Sequence, residues 1–216
     1  MDQKVEQLSA AGSFPTHKRR DEQGFSLVEM LVVVAIIGIL SAISYMVFFN
    51  TLPSLRADAG MEFAETQLRQ AREYSIDNRR NIEVVFQGTS EMVTNYCGNP
   101  NANPPSNDPT CTTLTQLSDF FLPYGMTFQV FAGVPDLPAP DNFGNASAVS
   151  FCTGLPCTIT FQSDGSVVQG AGSTNVYQNG TVFIGKTGTP VSARAIATLA
   201  TTGRIKGWRW NGAAWH

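Results

Sequence analysis

The sequence predicts an α+β protein in which a long N-terminal helix, partly transmembrane, packs on an antiparallel β-sheet head. Three observations carry this. From Phe25 to Phe49, 25 residues hold one charge, Glu29, and about 20 apolar residues let a helix cross a ~30 Å hydrocarbon core. Beyond that run, Leu52, Leu55, Ala59, Phe63, Leu68 and Ala71 recur at the steps of an amphipathic helix. After Arg80 the pattern changes to short alternating runs, punctuated by the hairpin-turn pairs Asp164-Gly165, Asn179-Gly180 and Asn211-Gly212.

Taken in order, the helix extends from Phe25 to about Asn78, or about 80 Å at 1.5 Å per residue. Pro53 should kink it or interrupt its hydrogen bonds. Ile82-Glu83-Val84-Val85-Phe86 reads as a strand, Gly88-Thr89 as a turn and Glu91–Tyr96 as the return strand. Further strands are expected at Met126–Phe131, Thr158–Gln162, Ser166–Val168, Thr181–Ile184, Val191–Ala200 and Arg204–Trp210. Residues 132–148, with Pro135, Pro138 and Pro140, read as a long surface loop. Nothing repeats with a fixed period.

Glu29 is costly in an apolar helix, roughly +2.5–3.5 kcal/mol if it reached the bilayer centre, so it marks a functional position. His17-Lys18-Arg19-Arg20 precedes the run, and only Arg56 falls in the fifteen residues after it. The positive-inside rule then places the N-terminus in the cytoplasm and the head outside. The run is too long for an ordinary secretory signal, whose apolar region ends in a small-residue site. The change of character falls at its near end, where Arg20-Asp21-Glu22-Gln23-Gly24 gives way to Phe25-Ser26-Leu27-Val28-Glu29.

At Gly24, Phe25 and Glu29 the chain resembles the type IV prepilins and type II secretion pseudopilins. The resemblance implies that prepilin peptidase cuts between Gly24 and Phe25 and methylates the new amine of Phe25. It divides the chain into a cleaved leader (1–24), a transmembrane and filament-core helix (25–49), its amphipathic continuation (50–80) and an extracytoplasmic β-rich head (81–216). A neighbouring subunit, shifted axially, would set its Phe25 ammonium beside this Glu29. Both charges would then be neutralised, where a buried unpaired one costs several kcal/mol. Such a contact is heterologous, and heterologous contacts that do not close build helical filaments. The pattern's usual proline at the twenty-second mature position is absent, Met46 standing there. Ala71-Arg72, Ser75 and Arg79 at the helix end, the Asp164-Gly165 hairpin and Thr202-Gly203-Arg204-Ile205 further resemble the GspH/FimT minor pilins and pseudopilins. That resemblance implies a subunit at or near the tip of a bacterial inner-membrane filament, with other pilins and the assembly platform as partners, secreted cargo or DNA as further candidates, and no cofactor.

Charged residues make up only 14% of the chain, against about 25% in typical soluble domains. Between Arg80 and Lys186 there is no Lys or Arg, whereas Lys186, Arg194, Arg204, Lys206 and Arg209 follow with no acid among them. The acidic middle and basic end could neutralise each other in the fold. Cys97, Cys111, Cys152 and Cys157, in a segment expected outside the cytoplasm, read as disulfides with three possible pairings. Pairing close in sequence, Cys97–Cys111 and Cys152–Cys157, is preferred. The first would close a loop of about 15 residues, worth roughly 3 kcal/mol in the chain-entropy model. The spacings do not suit zinc.

No catalytic set is expected. His17 lies in the leader and His216 is the last residue, so no histidine pair or triad can form. Gly180–Thr187 satisfies the G-x-x-x-x-G-K-[ST] pattern, but its inner positions are strand-like and Gly188-Thr189-Pro190 cannot open the helix that a phosphate loop requires. Asn145-Ala146-Ser147 and Asn179-Gly180-Thr181 match glycosylation acceptors, as tripeptides in an Asn-rich chain often do. Arg204, Lys206, Trp208, Arg209 and Trp210, with Trp215 beyond, interleave cations with large rings. Along a strand Arg204, Lys206, Trp208 and Trp210 share one face. That composition suits nucleic-acid binding, so a filament-borne DNA-binding subunit is the alternative reading. Against it, the tryptophans serve as core or interface anchors. A membrane-anchored periplasmic protein that never assembles is the third reading, which the Gly24–Phe25 junction disfavours.

Overall fold

The computed structural model describes residues 25–102, 106–170 and 176–216. The leader and its last residue, Gly24, lie outside them. Helix α1 runs from Leu27 to Asn78 with Pro53 inside it. The proline contributes no N–H to the ladder, but the helix continues through it. The chain divides into two compact units, Met1–Tyr45 and Met46–His216, so the second half of α1 groups with the head.

In that second unit the buried face of α1 is Ala57, Gly60, Met61, Ala64, Leu68, Ala71 and Ser75. This stripe is rotated from the expected one. Leu55 is 61% exposed, and Ala59 and Phe63 are half-buried. The reason is steric: small side chains let the helix backbone lie close to the sheet, and bulkier ones flank the contact. A Cβ on Gly60 would sit 2.9 Å from Met126 Cγ. Phe63 instead meets Phe120 edge-on at 5.9 Å.

Two antiparallel sheets follow. The first contains β1 (Ile82–Gln87), β2 (Glu91–Asn99), β3 (Ser106–Asn107), β4 (Leu114–Phe121), β6 (Cys157–Phe161) and β7 (Val167–Gln169), in the order β3-β2-β1-β6-β7 with β4 also on β2. The second contains β5 (Thr127–Phe128), β8 (Gly180–Gly185), β9 (Arg194–Leu199) and β10 (Arg204–Arg209), in the order β10-β9-β8-β5. Ile82, Val84 and Phe86 of β1 join Ile159 and Phe161 of β6, Val182 and Ile184 of β8, Ile196 of β9 and the α1 stripe in one core.

Four departures from expectation follow. The long strand β4 has no legible period in the sequence because its extra residue, Leu117, bulges opposite Thr94 and Asn95 of β2 and breaks the alternation. The run Met126–Phe131 yields only the two-residue β5, and Val191–Ala200 begins as a 3₁₀ turn over Pro190–Ser192. Asn179-Gly180 is not a hairpin turn. Gly180 opens β8, where a Cβ would lie 2.5 Å from the Phe151 ring, and Asn179 Oδ1 accepts a hydrogen bond from the Ala200 amide. By contrast Gly165 (φ 81°) turns between β6 and β7. Gly212 (φ 99°) turns inside the Trp210–Trp215 bridge, with Asn211 Oδ1 accepting from the Ala213 and Ala214 amides.

Disulfides join Cys97 to Cys111 and Cys152 to Cys157. Asp108 adds order inside the first loop. Its carboxylate accepts from the Thr110 and Thr112 hydroxyls and the Thr110 and Thr113 amides, which hold its pKa far below the usual carboxylate range.

The pieces of the second resemblance meet at one side chain. Arg72 Nε donates to the Gly165 carbonyl at 3.2 Å and Nη2 to the Thr202 carbonyl at 3.0 Å. The helix end is thereby tied to both hairpin turns. Gly203 (φ 61°) lies where a Cβ would collide with the Gly165 carbonyl oxygen. Gly203→Ala should therefore lose at least about 1–3 kcal/mol from backbone strain alone, measured as a lower denaturation midpoint of the full chain in detergent. An unchanged midpoint would contradict the close approach.

Candidate assembly segment

Phe25 and Ser26 lie ahead of the helix, and α1 begins at Leu27. The 1.5 Å helical rise therefore does not apply between the Phe25 nitrogen and Glu29. The Met30 amide donates to the Ser26 carbonyl at 3.2 Å, which is the first helical bond. Ser26 thus occupies the N-cap and Glu29 the third helical position, the spacing of a capping box. A carboxylate there is also favoured by the helix dipole. This reduces the cost of Glu29 and was legible as Ser-x-x-Glu, though the sequence reading passed over it.

Every residue from Phe25 to Met46 is exposed. Leu27–Met46 is long and apolar enough to cross a membrane. A continuous apolar surface of this extent is not left to water; it meets lipid or protein. Glu29 is the one acid in this segment.

Residues 19–45 match the family described as the prokaryotic N-terminal methylation motif. The chain carries that motif, over its basic flank, the Gly24–Phe25 junction and most of the apolar segment. The motif implies processing by the peptidase and assembly with other pilins. The chain is also similar to a solved structure, the minor pseudopilin EpsH from the Type 2 Secretion System of Vibrio cholerae. The identity is 13% and the TM-score 0.41, over 74% of this chain and 99% of that one. No curated protein matches the chain.

Elsewhere in the head the basic C-terminal residues have partners. Arg194 is 2% exposed. Its Nε donates to Asp58 Oδ1 at 2.6 Å, its Nη2 to the Ser54 hydroxyl and carbonyl, and its Nη1 to the carbonyls of Val191 and Ala193. Arg209 reaches Asp58 at 3.2 Å and Glu62 at 3.0 Å. Arg204 pairs with Asp141, which is wholly buried and also accepts from Trp208 Nε1 at 3.1 Å. Among the described residues, Arg204 takes its counter-ion from the acidic middle, and Arg194 and Arg209 take theirs from α1.

Arg204 and Trp208 share a face of β10, as the alternation requires, but the loop 132–148 covers it. Trp208, Trp210 and Trp215 pack with Phe131, Leu137 and Phe183, and Trp215 Nε1 donates to the Pro135 carbonyl at 2.8 Å. Lys206 Nζ lies 3.5 Å from the Trp208 ring centroid. The rings needed for base stacking are core anchors, and Arg204 and Arg209 are engaged with carboxylates.

Gly180–Thr187 is likewise structural. Gly180–Gly185 is β8, and the three-residue 3₁₀ turn Pro190–Ser192 follows in place of a long helix. Gly180 admits the Phe151 ring and Gly185 the Phe131 ring, each with 2.5 Å to a built Cβ. Glu83 is 4% exposed on β1. Burial raises its pKa, and the Asn95 amide, 3.3 Å away, partly offsets the rise.

Proposed function

We propose that this chain is a minor pilin or pseudopilin of the GspH/FimT type. Prepilin peptidase cuts it after Gly24 and methylates Phe25. The mature subunit then enters a type II secretion or type IV pilus filament, at its tip or in the complex that initiates it. Its N-terminus faces the cytoplasm of a bacterial inner membrane and its head the periplasm. Partners are the other subunits and the inner-membrane assembly platform, and the role is structural, not enzymatic.

One observation carries this reading: the methylation-motif match coincides with an exposed apolar segment, Phe25–Met46, whose one acid is Glu29. Glu29 sets the register. Entering beside a neighbour, it offers a carboxylate where that neighbour's Phe25 ammonium needs one. The Arg72 tie supports the finer assignment, because it joins the three stretches on which the GspH/FimT resemblance rests. Fractionation of producing cells tests the proposal. The chain should appear in sheared or cross-linked filament material together with other pilin-class subunits. Recovery in the membrane alone, free of such subunits, would overturn it.

A further inference from the structure

Strand β4 is paired on one side by β2, and among the described residues no strand pairs with its other edge. Proteins normally shorten such edges, guard them with Lys or Pro, or cover them. This one has eight residues with neither Lys nor Pro, and its guards are a bulge at Leu117 and the single charge of Asp119. Leu114, Leu117 and Phe121 are 44%, 38% and 60% exposed. Beside it a groove of about 510 Å³ runs along α1, with Tyr74, Leu117 and Phe120 as apolar lining, Glu73 and Asp77 as its charges, and no cation among the described residues. On the opposite face Asp119 lies across from Val93 and Glu91 across from Phe121, so the two carboxylates are diagonal neighbours. Burial, and then the nearby Glu91, raise the pKa of Asp119.

We propose that the free edge of β4 and its groove receive an extended strand, bearing lysine or arginine, from another polypeptide. Main-chain hydrogen bonds to an open edge supply the attachment, and alternate side chains supply the choice of partner. An added strand points its side chains to both faces in turn. It therefore meets Glu73 and Asp77 on one face and Glu91 and Asp119 on the other, and cations satisfy both. A second copy of β4 fits poorly, because it would set acid against acid. The inference rests on the head alone and does not depend on processing or filament entry.

The test uses the full chain in detergent and three labelled peptides, followed by fluorescence anisotropy. One carries adjacent Lys-Lys pairs separated by Val and Thr, so that both faces bear a cation, one has Glu in place of Lys, and one is the Lys peptide with alternate backbone nitrogens methylated. The Lys peptide should bind. The other two should bind at least about tenfold more weakly, one through lost charge pairing and one through lost backbone donors. Glu73→Gln with Asp77→Gln, both on the exposed helix surface, should weaken the Lys peptide while leaving the circular dichroism unchanged. Equal binding of the Lys and Glu peptides, indifference to backbone methylation, or no binding would overturn the proposal. So would a dimer in sedimentation that Gln116→Pro disperses, which would make the occupant a second copy.

Discussion

Arg194→Ala should destabilise the head by about 3–5 kcal/mol, the usual loss when one partner of a buried ion pair is removed. Domain stabilities are about 5–15 kcal/mol, so this one change removes a large share. The guanidinium is almost fully buried and its partners include Asp58, the Ser54 hydroxyl and three carbonyls. It ties the first turns of the head's helix to β9. Truncation leaves those acceptors without their donor in a poorly solvated site, which costs more than the pair itself contributes. Arg209, 3.2 Å from Asp58, retains part of the compensation. Denaturant titration followed by tryptophan fluorescence measures the loss. The Asp58→Ala, Arg194→Ala double variant should lose less than the sum of the singles, because each change removes the other's unpaired charge. A loss below about 1 kcal/mol, the range of surface pairs, would show that the pair does not hold the helix.

The second large effect concerns Glu29. Glu29→Ala and Glu29→Lys should both yield membrane-inserted chain that enters filaments at least about tenfold less than wild type, a difference of about 1.4 kcal/mol. Lysine should be worse, because it sets a cation against the neighbour's Phe25 ammonium. The capping-box position complicates both, since each variant also loses the third-position carboxylate. Glu29→Gln separates the roles, as glutamine serves the cap but carries no charge. It should fail like alanine if the charge pair sets the register. Normal filament entry by the glutamine variant would reduce Glu29 to a helix cap.

Much of this was legible in the chain. A 25-residue apolar run with one acid, a basic flank and the Gly24–Phe25 junction are local signals, and local signals survive without a structure. So were most strands, whose alternation follows from the two-sided sheet. The failures share a physical cause. Leu117 sits at a bulge, so period-2 reading lost β4. Gly180 resembled a turn glycine but is a packing glycine, made necessary by the Phe151 ring, 29 positions away in sequence. The DNA-binding alternative, set against the tryptophans as core or interface anchors, rested on the strand alone, where nothing local shows that 132–148 folds over it or that Asp141 meets Arg204. Asp58 and Arg194 are 136 positions apart, and no pattern within either segment announces the other.

The central claim is that this chain is matured at the junction before its apolar helix. The most direct test is the mass and N-terminal sequence of the chain recovered from membranes that contain prepilin peptidase. The account predicts loss of residues 1–24 and a single methyl group on the Phe25 nitrogen. A chain that still begins at Met1, or one cut elsewhere with an unmodified N-terminus, would contradict it.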